Sequence, residues 1–177
     1  MIHFKSLERI DSLGEVYTPI HTAYQMMELI SADKWNDPHC IFFEPTCGNG
    51  NIVEAIFRRR VNALFNGSLE YAVANTMNTL IAMDVDLENV LETRERVERI
   101  ASEYIDLGSD LVFYAHFKRA LELQITHNDM ISALCAGTKI KNHTIIGKAF
   151  NREYGIIKDN LTTYLEKIEL IQTNRVQ

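Results

Sequence analysis

The sequence predicts a single α/β domain built on a mainly parallel sheet. Three observations predict it. Four short β-type runs, at residues 41–44, 80–84, 121–126 and 143–146, alternate with helical stretches, which is the pattern of strand–helix–strand units. A glycine-spaced turn, Cys47-Gly48-Asn49-Gly50-Asn51, joins the first run to a helix. The 177 residues include only three prolines and no Gly/Ser linker, so one domain, large enough to bury its own core, accounts for the chain.

The elements follow in order. Thr18-Pro19 reads as an N-cap with proline at the first helical position, opening a helix through Ile30. The run at 41–44 leads into the glycine turn, and a helix over 51–64 leaves it. Asn66-Gly67 is a turn, and 68–79 a short helix. The run at 80–84 ends in an acid, and Asp86 or Leu87 opens a long helix. There Val90, Leu91, Val97, Ile100, Ala101, Tyr104 and Ile105 recur at helical spacing. Residues 111–120 form another helix before the runs at 121–126 and 143–146. Ile157, Leu161, Leu165, Ile168 and Ile171 give the chain an amphipathic helix at its end.

Composition excludes several classes. No stretch approaches the roughly 18 apolar residues of a membrane span, and the first residues have neither an apolar signal core nor a cleavage site. A cytoplasmic, non-membrane protein is the expectation. Cys40, Cys47 and Cys135 lack CxxC spacing, and the histidines lack HxxxH or HExxH spacing. Neither a disulfide framework nor a metal site is predicted. The net charge of −6 lacks the basic face that phosphate neutralisation demands of a DNA-gripping domain. Arg58-Arg59-Arg60 is the one dense basic cluster. It reads as a solvated helix end in preference to a phosphate contact.

The glycine turn is the first candidate site. Without Cβ atoms its backbone can turn sharply and let a ligand approach closely. A dinucleotide fingerprint needs a third glycine where Val53 stands, and no P-loop string occurs. Something other than a polyphosphate is indicated. Asp84, at the end of the second run, is placed to accept hydrogen bonds from two vicinal ribose hydroxyls. Val85 follows it and could pack on an adenine face. Asp129, after the third run, could accept from an exocyclic amine. Singly, each acid reads as a helix cap or solvated loop end; together, in register after successive strands, they favour a ligand.

With these residues the sequence resembles the N6-adenine DNA methyltransferases, the class I, S-adenosylmethionine-dependent enzymes of restriction–modification systems. Gly14-Glu15-Val16-Tyr17-Thr18-Pro19, Glu44-Pro45-Thr46-Cys47-Gly48-Asn49-Gly50-Asn51, Asp84-Val85-Asp86 and Asn128-Asp129-Met130-Ile131 come in the family's order. The likeness spans about residues 14–150. It implies a Rossmann-like class I methyltransferase sheet, truncated after about the fourth strand, with helices on both faces. It implies one domain in three parts: an N-terminal helical segment (1–36), an S-adenosylmethionine-binding core (37–150) and a C-terminal helix (151–177). It also implies roles. Tyr17, Thr18 and Pro19 would lie over the methionine part of the cofactor, and Glu44, followed by Pro45, would face its ammonium group. Gly48 and Gly50 would shape the turn beneath it. Asp84, Val85 and Asp129 would take the ribose, the adenine face and the adenine amine.

The family's catalytic motif, a polar residue followed by Pro-Pro and an aromatic, is missing. Lys148-Ala149-Phe150 stands in its slot after Thr144-Ile145-Ile146-Gly147. Phe150 keeps the aromatic, but a protonated lysine cannot accept a hydrogen bond from the target amine. The expectation is an S-adenosylmethionine-binding protein, a degenerate or partner-dependent methyltransferase of the kind that suits a phage or mobile element. DNA would be reached through a partner chain. The alternative is a non-catalytic module that docks on a modification or restriction subunit, or sequesters the cofactor. An open sheet edge beside the fourth strand suggests a homodimer.

Overall fold

A computed structural model of the chain describes residues 16–130. The run at 143–146, Lys148-Ala149-Phe150 and the terminal helix lie outside the described residues. In chain order the elements are helices α1 (Ile20–Met27) and α2 (Ala32–Asn36), strand β1 (Phe42–Glu44), helices α3 (Asn51–Leu64) and α4 (Leu69–Thr79), and strand β2 (Leu80–Asp84). Helices α5 (Leu87–Tyr104) and α6 (Leu111–Gln124) and strand β3 (Ile125–His127) follow.

The three strands form one parallel sheet in the order β1-β2-β3. Parallel neighbours need crossovers, and these are supplied by α3 with α4 and by α5 with α6. The register sets Glu44 beside Ala82 and Asp84 beside His127. The carboxyl ends of all three strands therefore share one edge, with Glu44 and Asp84 on it.

Strand β2 is apolar up to its final acid and buried along its whole length, as a central parallel strand should be. Side chains alternate across it. Leu80 and Ala82 join Phe42 and Ile125 in the main core with the apolar faces of α3, α5 and α6. Ile81 and Met83 are buried outside that cluster. Helices thus cover the Leu80 face.

Helix starts follow local chemistry. The Ser68 hydroxyl accepts the Tyr71 N–H, Asp86 accepts the Glu88 N–H, and Asp110 accepts the N–H groups of Val112 and Phe113. Each satisfies an amide that the first helical turn leaves open.

Three expectations change. Residues 121–124 belong to helix α6, and the third strand is only Ile125–His127. Phe113, Phe117, Ala120, Leu121 and Gln124 form one buried helical stripe. The Gln124 amide donates to the Asn78 carbonyl at 2.7 Å, capping the end of α4. Arg94 closes the helix–strand junction through the carbonyls of Glu122 and Ile125. At the N-terminal side, Pro19 is the N-cap and α1 runs only to Met27. The Asn51 amide holds the Thr18 carbonyl at 2.8 Å, keeping Thr18-Pro19 extended. The short helix α2, absent from the sequence reading, buries Trp35 against Phe42 with ring centroids 4.5 Å apart.

The third change concerns the arginine cluster, which is not a solvated helix end. Arg60 is 1% exposed. Its guanidinium donates to the carbonyls of Trp35 (2.6 Å), Asp37 (2.9 Å), Lys34 and Cys40 and to the Thr79 hydroxyl. It also lies 5.1 Å over the Phe42 ring, a cation–π distance. Arg58 pairs with Glu54 and Glu103. Arg59 is the one exposed member of the three, 3.7 Å from Glu28.

Candidate functional site

The site is built where β1 gives way to α3. Gly48 and Gly50 adopt left-handed φ values of +51° and +87°, open to glycine at little cost. Close packing enforces both. A Cβ on Gly48 would sit 3.0 Å from the Tyr17 ring, and one on Gly50 would sit 2.9 Å from the Thr93 hydroxyl. The Cys47 N–H continues the ladder to the Met83 carbonyl, and the Gly50 N–H closes the turn onto the Cys47 carbonyl.

Both polar groups of the Gly48 backbone are held by side chains. Its N–H donates to Asp84 Oδ2 at 2.8 Å, and its carbonyl accepts from the Thr93 hydroxyl at 3.0 Å. Asp84 Oδ1 accepts the Asp86 N–H at 2.9 Å and the Asn89 amide at 3.3 Å. Three of the roughly four acceptor positions of this carboxylate are therefore taken by the chain itself. The Asn89 oxygen accepts the Tyr17 hydroxyl at 3.1 Å.

Segment 16–19 is fastened from two sides, by Tyr17 to Asn89 of α5 and by the Thr18 carbonyl to Asn51 at the end of the turn. Asn51 in turn accepts from Arg96, which also pairs with Glu54 at 3.1 Å. A cavity of about 130 Å³ lies between this segment and the turn, lined by residues 16–18, 46–49, 51 and 52. A wider cleft of about 500 Å³ adjoins it, where Pro19, Ile20 and His21 face Asn49, Glu54 and Arg96.

Tyr17, Thr18 and Gly48 thus share one cavity, Asp84 is bonded to its floor, and Pro19 lines the neighbouring cleft. Gly50 is buried against α5. Glu44 and Asp129 stand at the same sheet edge but line neither space. Glu44 Oε1 accepts the Thr46 N–H at 3.0 Å, and Pro45 lies between them. Val85 is 58% exposed. The Asn128 N–H reaches the Asp84 carbonyl, bringing the Asn128-Asp129 step beside the second strand's end.

Burial pushes the Cys47 thiol up to about 12, so it is no nucleophile. Among the described residues no group of three His, Cys, Asp or Glu side chains could hold a metal. No helix among them is long and apolar enough to cross a membrane.

Sequence reading missed Asn89, Thr93 and Arg96. They are spaced i, i+4, i+7 along α5; Asn89 bonds Tyr17 and Asp84, Thr93 bonds the Gly48 carbonyl and Arg96 bonds Asn51. The signal was available: polar residues at helical period beside the apolar stripe Val90, Val97, Ile100. Comparison with models of known protein families, with curated protein sequences and with solved structures finds no match.

Proposed function

We propose that this chain is an S-adenosylmethionine-binding protein of the N6-adenine DNA methyltransferase type, a degenerate or partner-dependent methyltransferase. The observation that carries the reading is the bond from the Gly48 N–H to Asp84. It puts the glycine turn after β1 and the carboxylate after β2 at one point of the sheet's carboxyl edge. Ligands of open parallel sheets bind beyond that edge. The order β1-β2-β3 matches one half of a doubly wound sheet.

The residues present fit the cofactor in parts. The cavity of about 130 Å³ is below the roughly 300 Å³ of a small-molecule pocket, and suits the amino-acid end. Asp84 retains about one open acceptor position, enough for one ribose hydroxyl, and exposed Val85 offers an apolar surface for a base. When bound, the cofactor would supply an electrophilic methyl group. The chain's own task is then to orient the ligand through Tyr17, Thr18, Gly48 and Asp84. Glu44 and Asp129 are assigned to its charged and amino ends.

Activating an adenine amine needs a polar side-chain acceptor, and Lys148-Ala149-Phe150 brings no such side chain. This favours methyl transfer completed by a partner chain, such as a modification or restriction subunit, which would also carry the DNA. A non-catalytic cofactor binder is the second reading. The crowding of Asp84 favours it, since three donors already occupy the carboxylate and leave about one acceptor position.

Calorimetry with S-adenosylmethionine and S-adenosylhomocysteine tests the proposal. Saturable heat, lost in Asp84→Ala, supports it; no heat with either ligand rejects it. A labelled-methyl assay on adenine-containing DNA then separates enzyme from binder.

A further inference from the structure

Asn89 and Thr93, one turn apart on α5, are 2% and 0% exposed. Apolar side chains would fill such positions at lower cost, because a buried amide is tolerated only when bonded. The Asn89 amide is bonded directionally. Its oxygen accepts from Tyr17 at 3.1 Å and its nitrogen donates to Asp84 at 3.3 Å. The two other donors to Asp84 are backbone groups of the turn and of the α5 cap. Asn89 is therefore the side chain that joins the carboxylate to segment 16–19.

We infer that Asn89 is a positioning residue: it sets the Asp84 carboxylate to receive a ribose hydroxyl at its one open acceptor position and links that carboxylate to Tyr17. The inference rests on the cofactor reading above. The ligand chemistry is a nucleoside whose ribose donates one hydroxyl hydrogen bond to this carboxylate. Without Asn89, Oδ1 keeps only the Asp86 N–H among these bonds, and the carboxylate plane loses its third restraint. Tyr17 still packs on Gly48 but no longer reports on Asp84.

The test is titration of the full chain with adenosine and with 2′,3′-dideoxyadenosine. It compares the parent, Asn89→Ala, Tyr17→Phe and the double variant, each checked for folding by thermal unfolding. The parent should prefer adenosine by about tenfold or more, the scale of a hydrogen bond to a charged group. Asn89→Ala should shrink that preference to about twofold, on the same scale. Tyr17→Phe should remove part of it, and the double variant should match Asn89→Ala because Tyr17 acts through Asn89.

A folded Asn89→Ala that keeps the parent's preference overturns the inference and leaves the cofactor reading standing. If Asn89→Ala does not fold, an unchanged preference in Tyr17→Phe overturns it. A parent that binds neither S-adenosylhomocysteine nor adenosine overturns the cofactor reading and the inference with it.

Discussion

Asp84 Oδ2 accepts the Gly48 N–H at 2.8 Å, so the carboxylate ending the second strand closes the turn that follows the first. One side chain thereby fixes the turn and faces the edge where a ligand would lie. On the proposed reading, stability and binding are coupled through it. Asp84→Ala leaves the Gly48 and Asp86 N–H groups and the Asn89 amide without this acceptor. The expected loss is about 2–4 kcal/mol in urea unfolding, from donors left unsatisfied. Asp84→Asn keeps one acceptor oxygen and should lose about half as much. Equal stability of all three proteins would show that the bond contributes nothing to the turn.

Gly48→Ala should cost about 1–3 kcal/mol, because the new Cβ meets the Tyr17 ring at 3.0 Å and the backbone sits at φ +51°. Part of that cost belongs to the contact and part to the backbone. In a Tyr17→Ala background the contact part disappears, so Gly48→Ala should cost less there by about 1 kcal/mol. Additive unfolding energies in this double-mutant cycle would place the whole penalty in the backbone.

Short-range signals made much of this architecture legible. β1 and β2 were readable from their apolar runs, α4 from the Asn66-Gly67 turn before it and α5 from Asp86, whose side chain caps its own helix. Gly48 and Asp84 were readable because they stand where strands end. The third strand was misjudged because Leu121, Leu123 and Ile125 alternate as in a strand. The same stretch continues the helical stripe of Phe113 and Phe117, and distant carbonyls on α4 claim Gln124. Asn89 was missed for a similar reason, since its partners lie on β2 and on segment 16–19.

Arg60 poses that problem in its sharpest form. It continues the buried positions Val53 and Phe57 of α3 toward Leu64, whereas Arg58 and Arg59 fall off that stripe. Its partners are carbonyls of the 34–40 segment. Burial holds its guanidinium below the ordinary arginine value. Arg60→Ala should destabilise the fold by about 3–5 kcal/mol, combining a cavity with orphaned acceptors. Arg60→Lys keeps charge but not the fork, and should recover less than half of that loss. Arg59→Ala, on the solvated side, should stay within about 0.5 kcal/mol. Denaturant midpoints of the three variants decide the matter; a mild Arg60→Ala would return the residue to the surface.

Cys47 makes a prediction about pH. Burial, with Asp84 and Glu44 adding to it, raises the thiol from 9.0 to about 12 in the folded chain. The unfolded chain releases this proton near 9, while the folded chain keeps it. Between pH 9 and about 12 the folded state therefore binds more protons, and stability falls as pH rises, by up to about 1.4 kcal/mol per unit. Below 9 both states hold the proton and this dependence vanishes. Cys47→Ala should flatten the alkaline decline relative to the parent when unfolding energies are compared at pH 8 and 10. The same burial should leave Cys47 unalkylated by iodoacetamide at pH 8 while the more accessible Cys40 reacts. Mass spectrometry of the labelled peptides reads this directly, and modification of Cys47 at the rate of Cys40 would mean that the turn opens in solution.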